Sequence, residues 1–258
     1  MSEDRVSILE NGLIRFTQPH AFNDPFELKP SIISLASPSH LAEHLKANFE
    51  NIIREEYENL PNQMKIAIPF SAYSSFAESK REEILRGIQQ MAIHATPLIS
   101  KKMHDGFEKH IGILSLTESP NNLLMWAHYA NSHQGFVIEL DSAHSFFDQR
   151  KSAKDELRHL SRVTYSKHRP SVQLSSVSSF DELLVKSDDW AYEAEWRILM
   201  ALNDAYKTIQ GKPHDIHLFK IPFDAIRSVI IGARASTTTQ DILKSAISSN
   251  PELSHVLN

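Results

Sequence analysis

The segment Trp190-Ala191-Tyr192-Glu193-Ala194-Glu195-Trp196-Arg197 carries the densest chemistry in the chain. On a strand, side chains alternate between faces. Glu193, Glu195 and Arg197 then share one polar face, and Ala194, Trp196, Ile198 and Met200 point the other way, towards a core. Two carboxylates and a guanidinium in a row can orient a hydroxylated substrate and shift one another's pKa values. The same pattern also fits a solvated strand face with a cross-strand ion pair. Taken alone, it favours that plainer use.

A second cluster is Leu124-Met125-Trp126-Ala127-His128-Tyr129, followed by His133. His128 and Tyr129 sit about 100° apart around a helix, so one can line a cleft while the other borders the core. Trp126 is expected in the core. His128 and His133 are five apart, not the four of a helical zinc pair, so no metal is expected here. A third cluster is Phe22-Asn23-Asp24-Pro25-Phe26-Glu27. Asn or Asp before Pro is turn chemistry, with Phe22 and Phe26 pinning the turn to the core. Asp24 with Glu27-Leu28-Lys29 imitates a nuclease pattern, but the spacing is too short to put Asp on a separate strand. Glu139 and Asp141 share a strand face and could bind a metal, with no further ligand evident.

The elements that must position these residues can be read from periodicity and punctuation. Ser2 caps a short helix to Asn11, with Gly12 at its end, and Leu13 to Thr17 is a short strand. Leu41, Leu45, Phe49, Ile52, Ile53 and Tyr57 form one helical face. Ile84, Ile88, Met91 and Ala95 form another, with Pro61, Pro69 and Pro97 as breaks. Ile111 to Thr117 is a strand. Ser119-Pro120 opens a helix that buries Leu123, Trp126, Ala127 and Ala130. Gly135 to Asp141, Tyr192 to Leu202, Ile216 to Ile221 and Arg227 to Ile231 are further strands. Ser171 to Ser179 is a serine-rich loop. Thr237 with Gln240 is a capping box for a last helix with Ile242, Leu243, Ala246 and Ile247 inward.

The fold class is α+β. One domain over 1–258 is expected, with residues 38–106 as a helical insertion between β-rich flanks.

Composition narrows the chemistry further. The 258 residues include no cysteine and only 7 glycines. Disulfides, thiolate nucleophiles and Cys-ligated metals are excluded, and no GxGxxG or GxxxxGK[ST] phosphate loop is present. A nucleotide here must be held by side chains, chiefly those of the Glu193–Arg197 and Trp126–Tyr129 segments. The net charge of −5 argues against a dedicated duplex-DNA binder. The longest uncharged stretch, Ile66 to Ala77, is too short and polar to span a bilayer. The acidic N-terminus has no apolar signal region. A cytoplasmic protein with no membrane partner is expected.

The three clusters, in this order, resemble a bacterial family known as domain of unknown function 2971. The matching pieces are Leu13-Ile14-Arg15-Phe16 with Phe22 to Glu27, then Leu124 to Tyr129 with Gly135 to Glu139, then Trp190 to Arg197. They extend from about residue 9 to residue 232.

A more distant resemblance is to the ADP-ribosyltransferase superfamily, in Ile113-Leu114-Ser115, Ala127-His128-Tyr129-Ala130 and Glu193-Ala194-Glu195. It implies a split mixed or antiparallel sheet. It also implies NAD as substrate, with no metal, cleaved at the nicotinamide–ribose bond through an oxocarbenium-like state as in glycoside hydrolysis. By this resemblance Glu195 holds a ribose hydroxyl and stabilises the developing charge. Glu193 orients the acceptor, a protein or nucleic acid, and Tyr129 stacks on nicotinamide. Ser115 supports its strand, and His128, Arg197 and Arg15 complete the cofactor-binding set. The superfamily also places an Arg or His on a strand before the first helix; Arg5 and Arg15 lie nearby but not at that place. Stress, toxin or phage-defence settings follow by analogy with relatives of that fold.

Two other classes compete with this expectation. One is a non-catalytic nucleotide- or nucleic-acid-binding sensor module. The other is a metal-dependent hydrolase using Glu139, Asp141, Glu193 and Glu195.

Overall fold

The computed structural model describes every residue except Asn23, Pro25, Phe26 and Asn258, and the backbone alone for Glu182, Leu183 and Leu257. The turn expected over Asn23-Asp24-Pro25-Phe26 therefore falls largely outside the described residues. The architecture is mixed α+β, with several small antiparallel and parallel sheets. The chain divides into two compact units. One holds Met1–Pro30, His104–Pro170 and Ser178–Asn258; the other holds Ser31–Met103 and Ser171–Val177.

In the first unit, strand Ile111–Thr117 pairs antiparallel with Glu195–Ala201 in a register that sets Ser115 opposite Arg197 and Thr117 opposite Glu195. The other edge of Glu195–Ala201 takes Leu160–Arg162. Glu195–Ala201 is thus a central strand, and Glu195 and Arg197 are buried along with Ile198, Leu199 and Met200. The polar face expected to be solvated is a buried one. Alternation of residue types identifies two faces but not whether both are covered.

Leu13–Phe16 pairs with Ile216–Lys220, which pairs with Lys207–Ile209. A bridge between Thr17 and Ile113 joins this sheet to the Ile111–Thr117 strand. Ile226–Ile231 pairs antiparallel with Phe136–Leu140, and Thr164–Ser166 pairs parallel with Val185–Ser187. Helix Ser7–Asn11 ends at Gly12, whose φ of 68° is left-handed. A Cβ there would lie 2.8 Å from the Ile221 carbonyl oxygen, so the position demands glycine twice over.

Helix Thr237–Ser248 starts on Ser236, whose hydroxyl accepts from the Thr239 N–H, one residue earlier than the capping box placed it. Leu243, Ala246 and Ile247 face the core as expected, while Ile242 is exposed. Around these elements Leu9, Phe16, Phe136, Ile198, Ile221, Ile226 and Leu243 form a continuous core. Each fully buried side chain of this size contributes about 1.5–3 kcal/mol.

In the second unit the single helical face expected from Leu41 to Tyr57 is broken into Pro38–Ala47 and Phe49–Glu58. The break is at Asn48, whose side chain donates to the His44 carbonyl oxygen and so competes with the backbone ladder. Leu45, Phe49 and Ile53 still share one small core, with Ala77 and Leu85. Pro97 does not end a helix: Arg81–His110 runs through it. Residues expected as loop include a strand, Ser171–Gln173, parallel to Ser31–Ser34. No helix among the described residues is long and apolar enough to cross a membrane.

Candidate functional site

The strand expected from Tyr192 begins only at Glu195. Residues Asp188–Glu193 form a 3-10 helix, capped at its start by the Ser187 hydroxyl. Ala194 ends it with a left-handed φ of 43°. Glu193 therefore reaches the site from a turn rather than as the next rung of the strand. That turn is held by three bonds to its carbonyl oxygens. Thr117 Oγ1 donates to Glu193 at 2.6 Å, Asn122 Nδ2 to Tyr192 at 2.9 Å, and the Glu118 N–H to Ala194 at 3.2 Å.

The carboxylates converge on two buried cations. Arg197 clamps Glu195 with both ends of its fork, Nε to Oε1 at 2.8 Å and Nη2 to Oε2 at 2.8 Å. Residues two apart on a strand share a face, which allows this pairing. Lys186 donates to Glu193 Oε2 at 2.5 Å and to Glu195 Oε2 at 3.1 Å. Glu27, whose side chain is fully buried, makes ion contacts with Arg197 and, at 3.9 Å, with Lys186. Ser115 stands opposite Arg197 on the neighbouring strand. The Tyr165 hydroxyl accepts from the Glu195 N–H at 2.8 Å, and Tyr165 stands opposite Lys186 in the parallel strand pair.

These charges shape one another. Burial raises the Glu195 carboxyl above its ordinary value, while Lys186 and Ser115 pull it back down. Burial alone would lower Lys186, but the charges and hydrogen bonds of Glu195 and Glu193 outweigh it and the ammonium is raised. Burial lowers the Arg197 guanidinium to about 9, against the charge of Asp24, which leaves it protonated at neutral pH. Glu27, Glu193 and Glu195 face two cations, and Asp24 is also buried. With every carboxylate ionised the cluster is negative by one charge. Such a buried excess is costly and is a recurring mark of functional sites.

An aromatic rim borders the cluster. Tyr129, at the end of helix Leu123–Tyr129, is 45% exposed, yet its hydroxyl donates to Glu193 Oε1 at 2.5 Å. The His128 ring lies 6.2 Å from Tyr129 and 6.3 Å from Tyr192. Trp190 lies 6.1 Å from Tyr192, with the Lys186 ammonium 5.0 Å above its ring.

That helix starts on Asn122, not at Ser119-Pro120. The Asn122 side chain accepts from the N–H groups of Leu124 and Met125, as an N-cap does. Of its expected buried stripe Ala130 is buried, Trp126 is half-buried, and Leu123 and Ala127 are exposed.

The structure thus gathers Glu193, Glu195, Arg197, Ser115 and Tyr129, with His128 at the exposed rim. Arg15 is not part of this grouping; its charge acts on His20. Lys186 and Tyr165 join the site from outside the three clusters, and Glu27 joins it from the third, whose default use is a turn. A lone lysine inside Leu184-Val185-Lys186 was the available signal for the first. Glu139, exposed, is bonded by Ser228 at 2.6 Å, and Asp141, half-buried, by Arg227 at 3.0 Å. Among the described residues no group of three or more His, Cys, Asp or Glu is arranged to hold a metal ion.

A family model described as protein of unknown function (DUF2971) matches residues 125–198. This is shorter than the resemblance read from about residue 9 to 232. It includes Tyr129, Tyr165, Lys186, Glu193, Glu195 and Arg197, and excludes Glu27 and Ser115. No curated protein and no solved structure matches the chain.

Proposed function

We propose that the chain binds NAD⁺ at the aromatic rim and cleaves its nicotinamide–ribose bond, passing ADP-ribose to an acceptor or to water. One observation carries this reading: three buried carboxylates that share two cations lie behind a set of aromatic rings, one of which, Tyr129, bonds Glu193. Nicotinamide in NAD⁺ is a flat ring with a positive charge. Rings at the rim would hold it by stacking and cation–π attraction, and the carboxylates behind would favour the cationic form.

In this reading the C–N bond breaks and nicotinamide leaves with the bonding pair as a neutral base. The positive charge then sits on the ribose as an oxocarbenium-like centre. Glu193 is the carboxylate nearest the rim, and rotation of Tyr129 would uncover its Oε1. It would stabilise that centre and take the proton of the attacking hydroxyl as the new C–O bond forms. Glu195, with both oxygens held by Arg197 and Lys186, is assigned to fixing those cations. The catalytic role that the resemblance gives to Glu195 therefore moves to Glu193.

The test is nicotinamide release from NAD⁺ by the purified chain, and its loss in Glu193→Gln with the fold intact. NAD⁺ is expected to raise the melting temperature and NADH, whose ring is neutral, is not. Absence of release at high protein concentration, together with no stabilisation by NAD⁺, rejects the reading. The full engagement of Glu195 favours a second one, a sensor that binds the nucleotide without turnover; stabilisation by NAD⁺ without nicotinamide release is its signature.

A further inference from the structure

The helix that carries Tyr129, Leu123–Tyr129, contains no buried residue. Leu123 is 72% exposed and Leu124 52% exposed, and Ala127 and His128 are exposed as well. Displacing such a helix uncovers little apolar surface, so its position depends on its polar ties. The Asn122 side chain fixes its start. It accepts from the Leu124 and Met125 N–H groups and donates to the Tyr192 carbonyl oxygen at 2.9 Å. The far end is tied by the Tyr129 hydroxyl, which donates to Glu193 Oε1 at 2.5 Å. An ionised acceptor makes this a strong bond.

The chain leaves the helix through a strained turn. Ala130 is buried, and the next three residues, Asn131, Ser132 and His133, are all left-handed, with φ of 49°, 54° and 69°. In that region Cβ crowds the following carbonyl oxygen, and residues other than glycine adopt it routinely only one at a time. Three in succession store strain. The exit of the turn is clamped. The His133 carbonyl oxygen accepts from the Arg234 N–H at 3.0 Å, and the Gly135 carbonyl oxygen from the Gly232 N–H at 2.9 Å. A Cβ on Gly232 would lie 2.2 Å from the His133 oxygen, so the two segments are in close contact. Towards the helix the turn is held by two bonds at 3.3 Å, from the Ser132 N–H to the Ala127 carbonyl oxygen and from the His133 N–H to the Trp126 carbonyl oxygen. Both exceed the usual N–H···O range. The strain thus lies between a fixed exit and a lightly held helix.

We infer that helix Leu123–Tyr129 is a lid over Glu193, latched by the Tyr129 hydroxyl and driven towards opening by relaxation of the turn at residues 131–133. Opening breaks the Tyr129–Glu193 bond, frees Glu193 Oε1 for a ligand and lets the turn leave the left-handed region. Movement of the helix supplies the displacement of Tyr129 that uncovering this oxygen requires. A ligand that bonds Glu193 in place of Tyr129 shifts the lid open by its higher affinity for that state. The meaning of the lid for catalysis rests on the role proposed for Glu193; its movement is tested without NAD⁺.

The test is amide hydrogen exchange of the purified full chain, for the parent, Tyr129→Phe and Ser132→Gly. Both positions are exposed, so neither substitution disturbs the core. Tyr129→Phe removes the latch and keeps the ring. Exchange of the amides at residues 126–130 is expected to rise about tenfold or more, with strands Ile111–Thr117 and Glu195–Ala201 unchanged. Ser132→Gly relieves the closed form, so the same amides are expected to exchange about two- to fivefold more slowly. The inference is overturned if the parent protects these amides as strongly as the two strands, if Tyr129→Phe leaves their exchange unchanged, or if Ser132→Gly speeds it. Faster local exchange in Tyr129→Phe, with no nicotinamide release and no stabilisation by NAD⁺, supports the lid and rejects the NAD⁺ reading. Release by the parent, with no local change in Tyr129→Phe, rejects the lid alone.

Discussion

Replacing Lys186 by methionine keeps most of the stem volume and removes the ammonium from between Glu193 and Glu195. All three side chains are 4% exposed, so water cannot take its place. Deleting one partner of a buried ion pair costs about 3–5 kcal/mol. For a chain of this size each kcal/mol shifts the melting temperature by roughly 2–4 °C, so a fall of roughly 6–20 °C is expected. The carboxylates left behind are like charges, and protonation relieves them. A carboxyl whose folded pKa is raised destabilises the fold above that value, and the penalty vanishes as pH falls below the unfolded value. The deficit of Lys186→Met is therefore expected to be larger at about pH 7.5 than at about pH 5. Adding Glu193→Gln to it is expected to restore part of the loss. Urea unfolding followed by tryptophan fluorescence at both pH values measures this. A deficit below about 1 kcal/mol, the range of exposed pairs, or one that does not change with pH refutes the reasoning.

Other outcomes follow from named contacts. Ser236→Ala removes the hydroxyl that accepts from the Thr239 N–H at 3.0 Å, and is expected to cost about 0.5–2 kcal/mol in urea unfolding. Burial lowers both His20 and His104; His214, Arg15 and Lys29 add to this for the first, Arg169 and Lys29 for the second, against Glu108 in each case. The unfolded chain takes up these protons near about pH 6.5 while the folded chain resists, so stability is lost as pH falls through that value. His20→Asn and His104→Asn are each expected to flatten the fall in the urea midpoint between about pH 7 and pH 5.

The strands that could be read from sequence were those whose neighbours matter least. Ile111–Thr117 has an uncharged run bounded by charge, and its limits match the expectation residue for residue. Glu193, Glu195 and Arg197 stood out by type alone. Their burial did not: Glu195 and Arg197 lie on a strand flanked by Ile111–Thr117 and Leu160–Arg162, and Glu193 joins them from the turn before it. Glu27 and Lys186 are more than a hundred residues apart and meet only through the tertiary fold, which no local spacing encodes. Asn122 displaced Ser119-Pro120 as a helix start because its side chain reaches two free N–H groups at once. Asn48 broke a helical face that periodicity read as continuous, by bonding the His44 carbonyl oxygen with its own side chain. In each case a polar side chain chose a local partner that hydrophobic pattern does not register.

The claim at the centre of this account is that the buried negative excess behind Tyr129 serves a cationic ring. Nicotinamide release from NAD⁺, measured for the parent chain and for Glu193→Gln, tests it most directly. The parent is expected to release nicotinamide, and a folded Glu193→Gln is expected to release none. Equal release by both, or none by either under conditions where NAD⁺ leaves the melting temperature unchanged, contradicts it.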